Sequence, residues 1–206
     1  MRIGICGGTF DPFHRGHLEP VLAVRDEMQW DRIVYVPAFR QPFKQATESA
    51  SGHHRFAMAA MATLEHDDVI VSDLELERGA ISYTVDTLEE LRRRNPRATL
   101  DWIIGDDNVA RLGEWKNIDR IFELANFVVL SRQPGAGVAE EGTAVCAMPA
   151  ERESHGCIVY ATNESVPVSS TEIRRRVREG EPIDELVDPL VSRYIHHYRL
   201  YQEAHS

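Results

Sequence analysis

Short apolar runs alternate with amphipathic stretches along the whole chain. Residues 2–6 (Arg-Ile-Gly-Ile-Cys), Ile33–Val36, Val69–Leu76, Leu100–Ile104, Phe127–Leu130 and Cys157–Tyr160 have the length and composition of buried strands. Pro37 ends the second run, and Gly105 follows the fourth. Between them the apolar period lengthens to that of a helix. Gly16–Gln29 carries Leu18, Val21, Leu22 and Arg25 at helical spacing, and His54–Leu64 carries Phe56, Ala59, Ala60 and Thr63 on one side. Thr84–Arg94, closed by Asn95-Pro96, and Ile118–Leu124 are two further helices, and two more run over about 169–179 and 189–203. A long polar loop precedes Gly52, and Gln133–Gly156 is an irregular stretch expected on the surface.

Strands alternating with helices at this spacing predict an α/β fold, a doubly wound parallel sheet with helices on both faces. Neither a repeat nor a composition break divides the 206 residues, so residues 1–206 are expected to form a single domain. In such a sheet ligands bind beyond the carboxyl ends of the strands, so the chemistry is sought just after them. No apolar run approaches the ~20 residues needed to span a bilayer, and no membrane partner is expected. The N-terminus is too short and glycine-rich for a signal peptide. Cys6, Cys146 and Cys157 form no C-x-x-C pair, so neither a disulfide framework nor a zinc site is suggested, and a cytoplasmic location is expected. A net charge of −10 argues against a nucleic-acid partner, but a local cationic cluster still suits a small phosphorylated substrate.

The strongest chemical signal is Gly7-Gly8-Thr9-Phe10-Asp11-Pro12-Phe13-His14-Arg15-Gly16-His17. It follows the first strand and opens the first helix. Glycines let backbone N–H groups approach an anion, and the helix start adds a positive dipole end. His14 and His17 flank that start, where imidazoles can donate to charge developing on a phosphate. A plain glycine turn is one other reading. A metal pair is another, without a third ligand at zinc spacing. A dinucleotide fingerprint would need G-x-G-x-x-G, which the loop lacks. Near the other end, Ser169 and Glu172 form a capping-box pattern at a helix start. That pattern leaves Arg174 unexplained, because an arginine one turn inside a helix opposes its dipole unless an anion is bound there.

Gly7–Phe10 with His14-Arg15-Gly16-His17 resembles the signature loop and H-x-G-H motif of the nucleotidylyltransferase superfamily. Val168-Ser169-Ser170-Thr171-Glu172-Ile173-Arg174 resembles its second motif, I-S-S-T-x-I-R, about 150 residues away. Ser82-Tyr83-Thr84-Val85-Asp86-Thr87-Leu88, Trp102–Asp107 and Trp115-Lys116 are similar to segments of the bacterial nicotinate-nucleotide adenylyltransferases. The resemblance runs from residue 1 to about Tyr201. It departs at Gln41-Pro42-Phe43-Lys44, where the family often has P-P-H-K, and over 133–156.

The resemblance implies transfer of AMP from ATP to nicotinate mononucleotide, giving the dinucleotide and pyrophosphate in NAD biosynthesis. It implies His14, His17, Lys44 and Arg174 as catalytic residues, with His17 at the α-phosphate and Arg174 at the β- and γ-phosphates. Gly7, Gly8, Thr9, Phe10, Ser170 and Thr171 would hold the ATP phosphates, and Gly105 and Asp107 the adenosine. Tyr83 and Thr84 would face the pyridine carboxylate, Trp115 would stack on the ring, and Arg132 would meet the mononucleotide phosphate. Mg2+ would arrive with ATP, without protein metal ligands. A homo-oligomer is compatible with this reading. The alternatives are another adenylyltransferase, acting on nicotinamide mononucleotide or phosphopantetheine, and a nucleotide-binding sensor without turnover.

Overall fold

A computed structural model describes residues 1–40, 50–131 and 156–202. The elements in chain order are β1 (Arg2–Gly8), α1 (Arg15–Val24), β2 (Arg32–Pro37), α2 (Gly52–Ala62), β3 (Val69–Val71), α3 (Leu74–Arg78), α4 (Thr84–Arg94) and β4 (Thr99–Gly105). A 3-10 helix (Asp106–Glu114), α5 (Ile118–Leu124), β5 (Asn126–Leu130), β6 (Ile158–Tyr160), α6 (Ser170–Glu179) and α7 (Pro189–His197) follow.

Among the described residues the strands form one parallel sheet in the order β3-β2-β1-β4-β5-β6. This is the doubly wound architecture expected. The chain winds outward from β1 in one direction and then from β4 in the other, so the order reverses between these two strands. Alternate residues feed opposite faces, as the two-residue period of a strand requires. Ile33 and Tyr35 of β2, Ile103 of β4 and Val128 of β5 face a core shared with α1, α2, α6 and α7. Val34, Val36, Leu100, Trp102 and Phe127 face the core under α3, α4 and α5. The buried carboxylate of Asp101 lies near the amino end of β4, where Arg2, Trp30 and Asn126 all donate to it at 2.5–2.9 Å. That cluster is structural and lies at the end of the sheet opposite the glycine-rich loop.

Several boundaries differ from expectation. The strand expected over Val69–Leu76 stops at Val71, because the Ser72 hydroxyl accepts from the Leu74 amide and starts α3. The first helix ends at Val24, with hydrogen-bonded turns to Trp30, and the last ends at His197 rather than at 203. On α2 the buried face is Arg55, Met58 and Ala59, with Thr63 at its end, so Phe56 and Ala60 lie on the flank. Arg92, in the last turn of α4, donates to the carbonyls of Ala98 and Leu124 and ties α4 to its neighbours. Cys157, buried just before β6, is disulfide-bonded, whereas the cysteine spacing suggested no bridge. Disulfides follow proximity in the fold, which spacing does not reveal. Cys146 and most of the irregular 133–156 stretch lie outside the described residues. No helix among the described residues is long and apolar enough to cross a membrane.

Candidate active site

The carboxyl ends of β1 and β4 are neighbours at the point where the strand order reverses. A crevice at such a switch point is where open α/β sheets bind their ligands. Here the glycine-rich loop leaves β1, and Gly105-Asp106-Asp107 leaves β4.

The loop has little freedom. A β-carbon at Gly7 would lie 2.6 Å from the Trp102 ring, and one at Gly8 would lie 2.8 Å from the Phe10 ring. Phe10 takes a left-handed backbone (φ 55°), costly for a bulky residue, and its buried ring packs edge-on against His17 and Tyr35. The Thr9 hydroxyl is buried with no hydrogen-bond partner among the described residues, an orphan that a ligand oxygen would satisfy.

His14 is the N-cap residue of α1 and is 5% exposed. Its ring stacks on that of His17 with centroids 3.6 Å apart, so the two imidazoles sit side by side at the helix start. The His14 amide donates to His17 Nδ1 at 3.3 Å, which leaves the His17 ring proton on Nε2 as a donor. Tyr35, fully buried, donates its hydroxyl to the His17 carbonyl and fixes that turn. Burial pushes the Tyr35 pKa upward, so it stays a neutral donor. The first turn of α1 holds no carboxylate to compete with an anion for the dipole.

The second motif reaches this loop directly. Ser169 caps α6 by accepting from the Glu172 amide at 3.2 Å, as its capping pattern suggested. The Ser170 hydroxyl donates to the Pro12 carbonyl at 3.1 Å, and Arg174 Nη1 donates to the Asp11 carbonyl at 2.6 Å. Arg174 Nη2 also donates to the Thr171 hydroxyl. These contacts draw on only some of the five guanidinium donors. Glu172 in the same first turn pairs with Arg175 and Arg176, whose hydrogen bonds hold its carboxyl down to about 2.

Tyr83 is the N-cap of α4 and makes no side-chain cap, so among the described residues the amides of that first turn receive no cap from it. Thr84 is the first helical residue rather than a cap. Ser82 accepts from the Phe39 amide at 3.1 Å, bringing this segment against the exit of β2. Lys116 lies 4.3 Å over the Tyr83 ring and pairs with Asp86 at 3.4 Å. The half-buried Trp115 packs edge-on against Phe127. Gly105 ends β4, and Asp107 is exposed in the turn after it, its carboxylate accepting from Asn108. Lys44, Arg132 and the Gln41-Pro42-Phe43 departure lie outside the described residues.

Three residues of this region escaped the sequence reading. Asp11, 6% exposed, accepts from the Ala50 amide and from Tyr201 Oη at 2.6 Å. Arg55, 3% exposed, donates to several carbonyls around the loop. A charge at the buried position of an apolar helix was the available signal for Arg55. Nothing local marks Tyr201.

The cytidylyltransferase-like family matches residues 5–176 of the chain. The chain is 36% identical over 207 residues to a protein of Thermoanaerobacter sp. (strain X514) named probable nicotinate-nucleotide adenylyltransferase, covering 98% of this chain and 95% of that one. It is 37% identical over 203 residues to a protein of the same name from Gemmatimonas aurantiaca, covering 98% and 93%. The Plasmodium falciparum nicotinic acid mononucleotide adenylyltransferase complexed with NaAD shares the fold, with a TM-score of 0.74 at 20% identity over 97% of each chain.

Proposed function

The chain belongs to the cytidylyltransferase-like family and, within it, to the nicotinate-nucleotide adenylyltransferases, and from that premise we propose how its residues act. The enzyme transfers AMP from ATP to nicotinate mononucleotide, releasing pyrophosphate and giving nicotinate adenine dinucleotide. The observation that carries this reading is the junction of the two motifs at the switch point, where Ser170 and Arg174 bond the Pro12 and Asp11 carbonyls.

A phosphate monoester has a second pKa of about 6, so the attacking oxygen is largely ionised at neutral pH and needs no general base. It displaces pyrophosphate in line at the α-phosphorus. The protein supplies orientation and charge stabilisation. In this reading His17 donates from Nε2 to the α-phosphate as charge builds there, with His14 stacked beside it. Gly7, Gly8, Thr9 and Phe10 line the phosphates from the loop. Ser170, Thr171 and Arg174 take the β- and γ-phosphates from the start of α6, and Lys44 adds a cation over the reacting groups. Gly105 allows close approach of the adenosine, and Asp107 suits its ribose hydroxyls. Magnesium enters as part of the substrate, its shell supplied by phosphate oxygens and water.

Tyr83 and Thr84 receive the pyridine carboxylate at the uncapped start of α4, Trp115 stacks on the ring, and Arg132 takes the mononucleotide phosphate. The whole chain, 1–206, acts as one domain, a reading supported by the single sheet that joins both halves of the site. A pyrophosphate-release assay with ATP and a panel of mononucleotides tests the function. Turnover is expected with nicotinate mononucleotide, and ATP binding without pyrophosphate release from any acceptor would sink the proposal.

A further inference from the structure

Arg55 lies near the start of α2, only 3% exposed, and makes no ion pair among the described residues. Its charge opposes the positive end of the helix dipole. Burial pushes its pKa down, with Asp11 the largest opposing influence. A buried charge in such a place is costly, and an apolar side chain of similar volume is often as stable or more so. What the arrangement achieves is geometric. Nη1 donates to the Thr9 carbonyl at 2.6 Å, and Nη2 to the Ala38 carbonyl at 2.5 Å and the Phe39 carbonyl at 3.4 Å. Nε donates to the Ala50 carbonyl at 3.1 Å, while the Asp11 carboxylate accepts from the Ala50 amide. One rigid fork therefore joins the glycine-rich loop, the exit of β2 and the entry to α2. Through Phe39, whose amide donates to Ser82, the same frame reaches the segment leading to Tyr83 and Thr84.

Resting on the function proposed above, we propose that Arg55 is a positioning residue that holds the phosphate loop and the mononucleotide segment in one frame, so that attacking oxygen and α-phosphorus meet in line. It touches neither substrate. Only a planar guanidinium presents donors in these directions, so lysine does not replace it.

The test compares Arg55→Lys and Arg55→Met with wild type, with kcat expressed per ATP-binding site counted by calorimetry. Misalignment of reacting groups acts on the chemical step, so kcat is expected to fall at least about tenfold while KM for ATP changes less than about threefold. A purely structural role would lower the number of binding sites and leave kcat per site unchanged. A kcat per site within about twofold of wild type, or a loss wholly in KM, overturns the proposal. Should neither variant fold, Ser82→Ala carries the test, since it releases the Phe39 amide, together with the Ser82 bond to the Glu75 carboxylate, and leaves Arg55 itself in place. A lowered kcat per site there supports the frame, and an unchanged one overturns it. Wild type run alongside keeps the two failures apart. No pyrophosphate from wild type sinks the function, whereas normal wild type with unaffected variants sinks only the part given to Arg55.

Discussion

A β-carbon added at Gly16 would lie 3.1 Å from His14 Nδ1 and 3.3 Å from the Val166 carbonyl oxygen, so any larger residue would press the His14 ring away from its place against His17. The H-x-G-H spacing is thus a packing requirement as much as a chemical one. His17 accepts at Nδ1 and keeps its proton on Nε2, the arrangement of a donor rather than a base. Loss of one donor aimed at developing charge costs about 2.7–4 kcal/mol, so His17→Ala should lower kcat on the order of 10²–10³-fold. ATP affinity should change little. Steady-state kinetics with calorimetry checks this, and near-normal turnover would remove His17 from the mechanism. Arg174 presents a contrast. Already bonded to the Asp11 carbonyl, it has donors left for the β- and γ-phosphates. Arg174→Ala should therefore weaken ATP binding while AMP binds almost as before, and equal losses for both nucleotides would place the arginine elsewhere.

Helix starts are the elements that do most here, and their caps distinguish them. Ser169 occupies one amide of the first α6 turn, that of Glu172, whereas Tyr83 gives the start of α4 no side-chain cap. Uncapped amides and the positive dipole end favour a carboxylate over a carboxamide. Lys116 pairs with Asp86 in that first turn and offsets the one carboxylate that would repel the substrate. A charge-assisted bond exceeds a neutral one by roughly 1.4 kcal/mol, so nicotinate mononucleotide should be preferred to the nicotinamide form at least about tenfold. In the proposed site Trp115 would stack equally on both rings and so would not discriminate between them. Specificity constants for the two at saturating ATP decide it, and equal constants would take the selectivity away from α4.

At the scale of the molecule, the chain's last described turn returns to its first loop. Tyr201 donates to Asp11 Oδ1 at 2.6 Å, 190 residues apart in sequence. Burial, and then the nearby Asp11 carboxylate, push the Tyr201 pKa well above the ordinary phenol value of 10. The sign follows from linkage. The folded state holds the neutral phenol, so the contribution is fully present below about pH 10 and is lost as pH rises and the unfolded chain ionises. Tyr201→Phe should therefore lower the melting temperature at neutral pH by removing the bond to a buried carboxylate. It should also flatten part of the fall in stability above about pH 10. Melting curves from pH 7 to 11 test both, and parallel curves for the two proteins would rule out a buried neutral Tyr201.

Periodicity and local motifs determined much of this protein. The alternation of strands and helices, the glycine-rich loop with His14 and His17, and the Ser169 cap are all governed by neighbours within one or two turns, and a linear pattern records such neighbours. Pairing across the sheet is a different matter. That Ser170 and Arg174 grip the Pro12 and Asp11 carbonyls, that Arg55 collects the carbonyls of Thr9, Ala38 and Ala50, and that Tyr201 closes on Asp11 depended on which strands became adjacent. Backbone carbonyls are the acceptors in most of these bonds, and every residue has one. No residue type marks them in the sequence, so only the folded geometry could choose them.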